Sequence, residues 1–176
     1  MVRPDSTEHA PYYTKYVDLV PETDVIAAMR LQFAETLAIL SDLTESEACI
    51  HHAPYTWSIK DVVGHLTDAE RVFAYRALRF ARGDETPLPG FDENAYAKAA
   101  EFDQEPIRDV VAGFEAARRS SICLFQHLSD AAWHRKGTAN GDGVTVRALA
   151  YILVGHERHH MAIVRKRLGV PTRSEP

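Results

Sequence analysis

The chain has few of the features that mark secreted, membrane and nucleic-acid-binding proteins. Its 176 residues contain two cysteines, Cys49 and Cys123, which match no metal-binding or redox spacing. Lysines and arginines form no cluster and the formal net charge is -5, so a nucleic-acid-binding face is not indicated. No apolar run approaches the length of a membrane span, and no signal-peptide segment opens the chain. We therefore expect a cytoplasmic protein with reduced thiols and without a nucleic-acid or membrane partner.

The sequence also shows no convincing strand, internal repeat or low-complexity segment. Apolar residues at helical spacing predict four long helices instead, over residues 23–43, 58–82, 105–128 and 145–168. Helices of this kind predict an all-α protein, a four-helix bundle formed by a single domain over residues 1–176. The longest connection lies between the second and third helices. Residues 1–22, which carry prolines and lack helical spacing, are expected to form an extended segment.

Short-range signals predict where helices and loops begin. Ser58, with Asp61 three residues later, has the pattern of a capping box. Thr23 and Thr145 are the expected N-caps of the first and fourth helices. The glycine-rich residues 136–143 are expected to form a loop.

Two of the nine histidines lie on one face of the predicted fourth helix. His156 and His160 are four residues apart, so their imidazoles project in the same direction, one turn from each other. A helix can hold one metal ion with two nitrogens in this arrangement. The adjacent His51 and His52 point apart and are expected at the surface.

A catalytic metal site commonly has a third protein ligand and an open position. His65 is the best candidate, because it is the other histidine on a core-facing stripe in the middle of a predicted helix. Three neutral imidazoles would suit Zn, Ni, Co or Fe(II), and the sequence does not distinguish among these ions. Two alternatives to a metal site stay open: the histidines pair with buried acids, or they form a solvent-facing surface.

Residues 156–160 also match H-E-x-x-H, the signature in which a glutamate is the general base of a zinc protease. No histidine follows His160, and the tail offers only Glu175 as a further acid. The sequence before the motif also lacks a strand pattern, and such proteases use the edge of a strand to align their substrate. We therefore expect that Glu157 points away from the ion.

Three short motifs follow one another along the chain: Trp57-Ser58-Ile59-x-x-Val62-x-x-His65, Thr86-Pro87-x-Pro89-x-Phe91-Asp92-Glu93-x-Ala95-Tyr96, and Gly155-His156-x-x-His159-His160. In their order and spacing they resemble the DinB/YfiT-like family of predicted metalloenzymes, and the similarity spans residues 22–168. The resemblance implies a four-helix bundle in the unusual order up-down-down-up, and it implies that homodimers are frequent.

The resemblance also implies a divalent metal ion held by three histidines, which map onto His65, His156 and His160. Family members include transferases and isomerases that use low-molecular-weight thiols, and predicted metal-dependent hydrolases. The resemblance places the connection that carries Asp92 and Glu93 near the metal. One of these acids could then act as a general base or orient a ligand, although an N-cap role alone would explain Asp92.

Three functions are compatible with these features. The first is a metal-dependent enzyme that acts on a small molecule, by thiol transfer or by hydrolysis. The second is a non-catalytic stress or binding protein in which the metal ties two helices together. The third is a metal-free interaction bundle. Arg71, Arg76 and Arg79 could meet an anionic substrate, but we expect them to form a solvated helix face.

Overall fold

The computed structural model describes residues 2–170, which form eight helices and one β-hairpin. The helices are α1 (Thr14–Val17), α2 (Val25–Leu40), α3 (Glu45–Ala48), α4 (Ile59–Ala81), α5 (Glu93–Ala100), α6 (Ile107–Gln126), α7 (Asp130–Trp133) and α8 (Val146–Leu168). The hairpin pairs β1 (Lys136–Ala139) with β2 (Asp142–Thr145). Single 3₁₀ turns lie at Pro11–Tyr13 and Phe102–Gln104. The tail that carries Glu175 lies outside the described residues.

Side-chain contacts between the four long helices give the direction of each helix. Between α2 and α8 the contacts are Gln32–Arg158 and Glu35–Arg165. Lys60 of α4 donates to the backbone oxygen of Glu105, two residues before α6, and Glu70 of α4 pairs with Arg118 of α6. Between α2 and α6 the contacts are Arg30–Gln126 and Phe33–Arg119. Helices α2 and α8 are therefore parallel, α4 and α6 are parallel, and the two pairs run in opposite directions. The order is up-down-down-up, which confirms the predicted fold class.

Polar side chains begin the helices of the bundle, mostly where the sequence predicts. Ser58 Oγ accepts a hydrogen bond from Asp61 N, and the Asp61 carboxylate accepts one from Ser58 N, so the capping box at the start of α4 is confirmed. Thr145 caps α8. The prediction for Thr23 is wrong by one residue, because the Asp24 carboxylate accepts the hydrogen bond from Ala27 N.

The expected loop at residues 136–143 is instead most of the hairpin, which corrects the prediction that the chain has no strand. Asn140 and Gly141 form its turn with φ angles of 54° and 84°. A two-residue Asn-Gly turn with both φ angles positive matches the twist of paired strands, and these residue types adopt such angles at low cost. Leu88 N donates to Thr138 O, so the connection that follows α4 is hydrogen-bonded to strand β1 of the hairpin.

The N-terminal segment is not extended as expected. It forms the 3₁₀ turn and α1, and it packs across α8 at Gly155. A Cβ atom at Gly155 would overlap the carbonyl oxygen of Tyr16, so only glycine permits this close approach. The approach brings the Tyr16 ring to 5.2 Å from the His156 ring, measured between centroids.

Because α4 and α6 are parallel, the connection between them has to return along the bundle. Residues 82–106 begin near β1, form α5, and then pass the first turns of α4. There Phe102 covers Gly64, and Asp103 accepts a hydrogen bond from Ser58 Oγ at 2.6 Å. The return path thus lies along the face of α4 that carries His65. None of the helices between residues 2 and 170 is both long enough and apolar enough to span a bilayer.

Candidate metal centre

The bundle brings three predicted ligands together from two antiparallel helices. His65 comes from α4, and His156 and His160 come from successive turns of α8. The Nε2 atoms of His65 and His156 lie 3.0 Å apart. One ring nitrogen from each of the three histidines lies within 4.8 Å of the other two. Four-coordinate zinc places neighbouring ligand atoms roughly 3.3 Å apart, so this group has the dimensions of a metal site.

Burial keeps the three imidazoles neutral. It lowers the pKa of His65 to about 4, an effect that the nearby Glu93 carboxylate opposes. Burial, followed by the charges of neighbouring histidines and Lys15, lowers the pKa of His160 to about 3. Burial likewise holds the pKa of His156 well below its usual value. The lone pairs are therefore free at neutral pH, which is the state that a divalent ion requires.

A cavity of about 430 Å³ opens onto His65, His156 and His160. Six aromatic side chains line it, from the N-terminal segment, from α4 and the residues just before it, and from the returning connection: Tyr12, Tyr13, Tyr16, Trp57, Phe73 and Phe91. The Trp57 ring lies 4.9 Å from the His65 ring, and the Phe73 ring lies 6.2 Å from the His156 ring, measured between centroids. The histidines thus lie on the wall of a pocket with both aromatic and charged side chains, large enough for a small organic molecule.

The two acids predicted as catalytic candidates occupy different positions. Asp92 Oδ1 accepts hydrogen bonds from Asn94 N at 3.0 Å and Ala95 N at 3.1 Å, so Asp92 caps α5. Glu93 instead lines the cavity, and its charge acts on both His65 and Tyr16. Of the pair, only Glu93 lines the cavity.

Glu157, the residue that would be the base of a zinc protease, points away from the histidines. Its carboxylate lies in the core, 2.8 Å from Arg118 Nη1, and Arg118 Nη2 donates to Glu70 at 2.7 Å. All three side chains are at most 2% exposed. Burial raises the pKa of Glu157. The H-E-x-x-H match therefore describes a buried ionic group that joins α8, α6 and α4, not a protease site.

A second group of metal-ligating side chains lies outside the cavity. His51 Nε2 lies 3.8 Å from an oxygen of Asp103 and 4.0 Å from one of Asp61. The sequence predicts that His51 is at the surface, and its side chain is 48% exposed. Asp103 is distant in sequence, so no spacing rule could have revealed this group. The capping box at Ser58 already accounts for Asp61, and Ser58 Oγ also donates to Asp103.

Sequence reasoning favoured a solvent-exposed position for Arg76 over a contact with substrate, and it did not place the tyrosines of the N-terminal segment in the site. Arg76 is 3% exposed and lines the cavity, which corrects the expectation of a solvated face shared with Arg71 and Arg79. The tyrosines at positions 12, 13 and 16 were visible as an aromatic cluster. Their placement over α8 depends on Gly155, which local periodicity does not reveal.

Several proteins are similar to this chain in sequence. A predicted metal-dependent hydrolase of Geobacillus kaustophilus is 26% identical over 151 residues, which are 82% of this chain and 84% of the relative. A predicted metal-dependent hydrolase of Oceanobacillus iheyensis is 23% identical over 128 residues, 72% of this chain and 73% of that protein.

Solved structures share the fold. YfiT from Bacillus subtilis, described as a predicted metal-dependent hydrolase with an unusual four-helix-bundle topology, superposes with a TM-score of 0.69 at 18% identity. That match covers 97% of this chain and 95% of YfiT. A mycothiol-dependent maleylpyruvate isomerase gives a TM-score of 0.68 at 17% identity, with 84% of this chain and 62% of the isomerase covered.

The model of the DinB superfamily matches residues 28–164, which include all three histidines of the candidate centre. With a match over most of its length, this chain belongs to the DinB superfamily.

Proposed function

We propose that the protein is a divalent-metal-dependent enzyme acting on a small molecule, with His65, His156 and His160 as the metal ligands. The observation that carries this proposal is the convergence of three neutral imidazoles at one end of a cavity of about 430 Å³. None of the three ligands is anionic, and the donor set suits Zn, Ni, Co or Fe(II). When bound, such an ion supplies Lewis-acid chemistry, because it polarises an oxygen or sulfur that approaches it.

The residues around the centre have separate tasks in this proposal. The aromatic walls exclude bulk water from the histidines and hold the apolar part of the substrate. The Glu93 carboxylate accepts the proton that the attacking group loses. This role is supported by its position on the cavity wall and by its electrostatic effect on His65.

Hydrolysis is the reaction that we favour. The two relatives from Geobacillus kaustophilus and Oceanobacillus iheyensis are both predicted metal-dependent hydrolases. Thiol transfer is the second candidate. It is favoured by the three neutral ligands, since an ion without an anionic ligand keeps its full charge and attracts a thiolate. The structural similarity to a mycothiol-dependent isomerase makes a low-molecular-weight thiol a reasonable co-substrate to test.

Metal analysis tests the ligand assignment. Protein purified without added metal should contain about one equivalent of a divalent ion by elemental analysis. His156→Ala should lose most of it, because two imidazoles hold an ion much less tightly than three. His159→Ala is the matched control: it lies on the same helix beside the centre but outside the ligand group. Wild-type occupancy in His156→Ala would show that the ligands are wrongly assigned.

Activity measurements separate the two reactions. The metal-loaded protein would be assayed with a panel of simple esters and amides, and then with low-molecular-weight thiols and electrophiles. For the active reaction, Glu93→Gln should lower kcat by about 10²-fold or more while metal content is unchanged. Asp92→Asn, which preserves the cap, should keep kcat. Stoichiometric metal without turnover, together with a large loss of stability on chelation, would instead indicate a non-catalytic metal tie.

Two predictions from the sequence stay part of the proposal. The homodimer implied by the resemblance would be measured by size-exclusion chromatography with light scattering. The cytoplasmic location likewise stays a prediction, and fractionation of the source cells would test it.

A further inference from the structure

Arg76 differs from the other two arginines in the second half of α4. Arg71 pairs with Asp68 and Arg79 pairs with Asp84, so both carry their charge beside a carboxylate. Arg76 is 3% exposed, and no carboxylate of residues 2–170 forms an ion pair with it. A buried charge without an opposite charge is costly, so its presence needs an explanation.

The partners of Arg76 are neutral. Its Nη2 donates to Pro89 O at 2.8 Å, its guanidinium lies 5.5 Å from the centre of the Phe73 ring, and it lies beside the Tyr13 hydroxyl. A guanidinium has five N–H donors. These contacts fix the orientation of Arg76 and leave its positive charge uncompensated on the cavity wall.

Neither of the acids that line the cavity, Glu93 and Asp142, forms an ion pair with Arg76. Glu93 acts on His65 and Tyr16, at the histidine end. Asp142 acts on Tyr13, but Arg76 has the larger electrostatic effect on that hydroxyl, and it lowers the pKa of Tyr13 against the larger effect of burial. Among the described residues that line the cavity, Arg76 is the only lysine or arginine, and its guanidinium lies beside the Tyr13 hydroxyl.

We propose that Arg76 holds a carboxylate of the substrate, so that the protein acts on small carboxylic acids with an aromatic or apolar body. The Phe73 ring lies near both groups, with its centre 5.5 Å from the Arg76 guanidinium and 6.2 Å from the centre of the His156 ring. The body of the substrate lies on this ring, and its far end reaches the histidines. A single guanidinium matches a monoanion, and its planar fork of N–H donors matches the two oxygens of one carboxylate. This inference rests on the proposed function for the reaction at the histidine end.

Binding of a matched pair of probes tests the inference without any turnover. The probes are 4-nitrobenzoate and 4-nitrobenzamide, which differ by one charge, and the signal is quenching of the fluorescence of Trp57 on the cavity wall. Trp57→Phe identifies the signal of that residue. The full chain would be measured as purified and after chelation, since a bound ion could itself hold a carboxylate. In the chelated wild type, the benzoate should bind about tenfold more tightly than the benzamide.

Variants then locate the preference. Arg76→Gln should bind the benzoate about tenfold more weakly and bind the benzamide within about twofold of wild type. Arg76→Lys should keep part of the preference, and the exposed Arg71→Gln should keep all of it. Equal binding of both probes by the wild type overturns the inference. An equal loss of affinity for both probes in Arg76→Gln also overturns it, because Arg76 would then serve only to hold Pro89 in place. Because the chelated protein is used, these outcomes are independent of whether the histidines hold a metal.

Discussion

At the scale of single residues, the site depends on one position that has no reactive group. Gly155 precedes His156 and lets the N-terminal segment lie directly on α8. The segment in turn supplies the tyrosines that close one side of the cavity. A residue without a side chain therefore decides whether the histidines lie in a pocket or in an open groove.

We expect Gly155→Ala to destabilise the protein. The added methyl group meets backbone, which cannot rotate away, so the free energy of unfolding should fall by about 1–3 kcal/mol. Gly113 in α6 is the matched control. A Cβ there would meet nothing nearer than Thr67 Cγ2 at 4.0 Å, so Gly113→Ala should raise stability by about 0.5–1 kcal/mol. Urea unfolding should show that the free energy of unfolding falls in Gly155→Ala and rises in Gly113→Ala. Stabilisation of both variants would contradict the close packing at Gly155.

At the scale of helices, the long periodic elements were the predictable part of the fold. Amphipathic spacing and local capping residues such as Ser58 and Thr145 act within a few residues, so they are visible in the sequence. The hairpin had a local signal as well, Asn140-Gly141, but the strands beside it are only four residues long and carry little hydrophobic alternation. The N-terminal segment was not predictable, because its short helix is held by contacts with α8.

The same distinction applies to the site. His156 and His160 share one helix, so their common direction follows from sequence. His65 lies on the core-facing stripe of another predicted helix, and the resemblance to a known family indicated the same residue. The burial of Arg76 depends instead on the connection after α4, which contributes Pro89. Contacts between distant segments of this kind leave no periodic signal in a single sequence.

The buried ionic group joins three helices, and its cation should be essential for stability. Arg118→Met would leave Glu70 and Glu157 in the core without their partner, and we expect a loss of about 3–5 kcal/mol. Arg119→Met is the control, since the side chain of Arg119 is 64% exposed, its ion pair is with Glu115 on its own helix, and methionine can keep the apolar part of its contact with the Phe33 ring. That variant should change stability by at most about 0.5 kcal/mol.

Replacing all three members of the group distinguishes a lost partner from lost packing. The variant Glu70→Leu, Arg118→Met and Glu157→Leu removes every buried charge of the group at once. Its stability should return to within about 1 kcal/mol of wild type or exceed it. Chemical denaturation gives both values, and a triple variant as unstable as Arg118→Met would mean that the group contributes by its shape and not by its charge.

At the scale of the whole molecule, the buried histidines should make the metal-free protein sensitive to acid. The folded-state pKa of His65 is lowered to about 4 and that of His160 to about 3, from 6.5. Below pH 6.5 the unfolded chain binds protons that the folded chain does not. The stabilisation is thus complete above pH 6.5 and is lost as the pH falls towards 4, by about 1.4 kcal/mol per pH unit for each histidine.

Unfolding of chelated protein at several pH values between 7 and 4 would measure this loss. Carboxylates such as Glu8 and Glu22, whose pKa values are lowered by arginine partners, also lose stabilisation in acid. His65→Gln isolates the histidine contribution, and its stability should fall less steeply than that of wild type. The exposed His127→Gln should follow wild type, and parallel curves for all three proteins would contradict the prediction.

The parallel arrangement of α4 and α6 has a consequence for how this protein can diversify. A chain that leaves α4 at one end of the bundle and must enter α6 at the other has to travel the full length of the bundle, about 35 Å for 23 helical residues. Here the connection passes in front of the histidines and contributes Phe91 and Glu93 to the cavity wall. The parallel direction of α4 and α6 alone thus places a segment of backbone over the candidate metal centre. Insertions or substitutions in this connection can therefore change the shape of the cavity while α4 and α8, which carry the histidines, keep their positions.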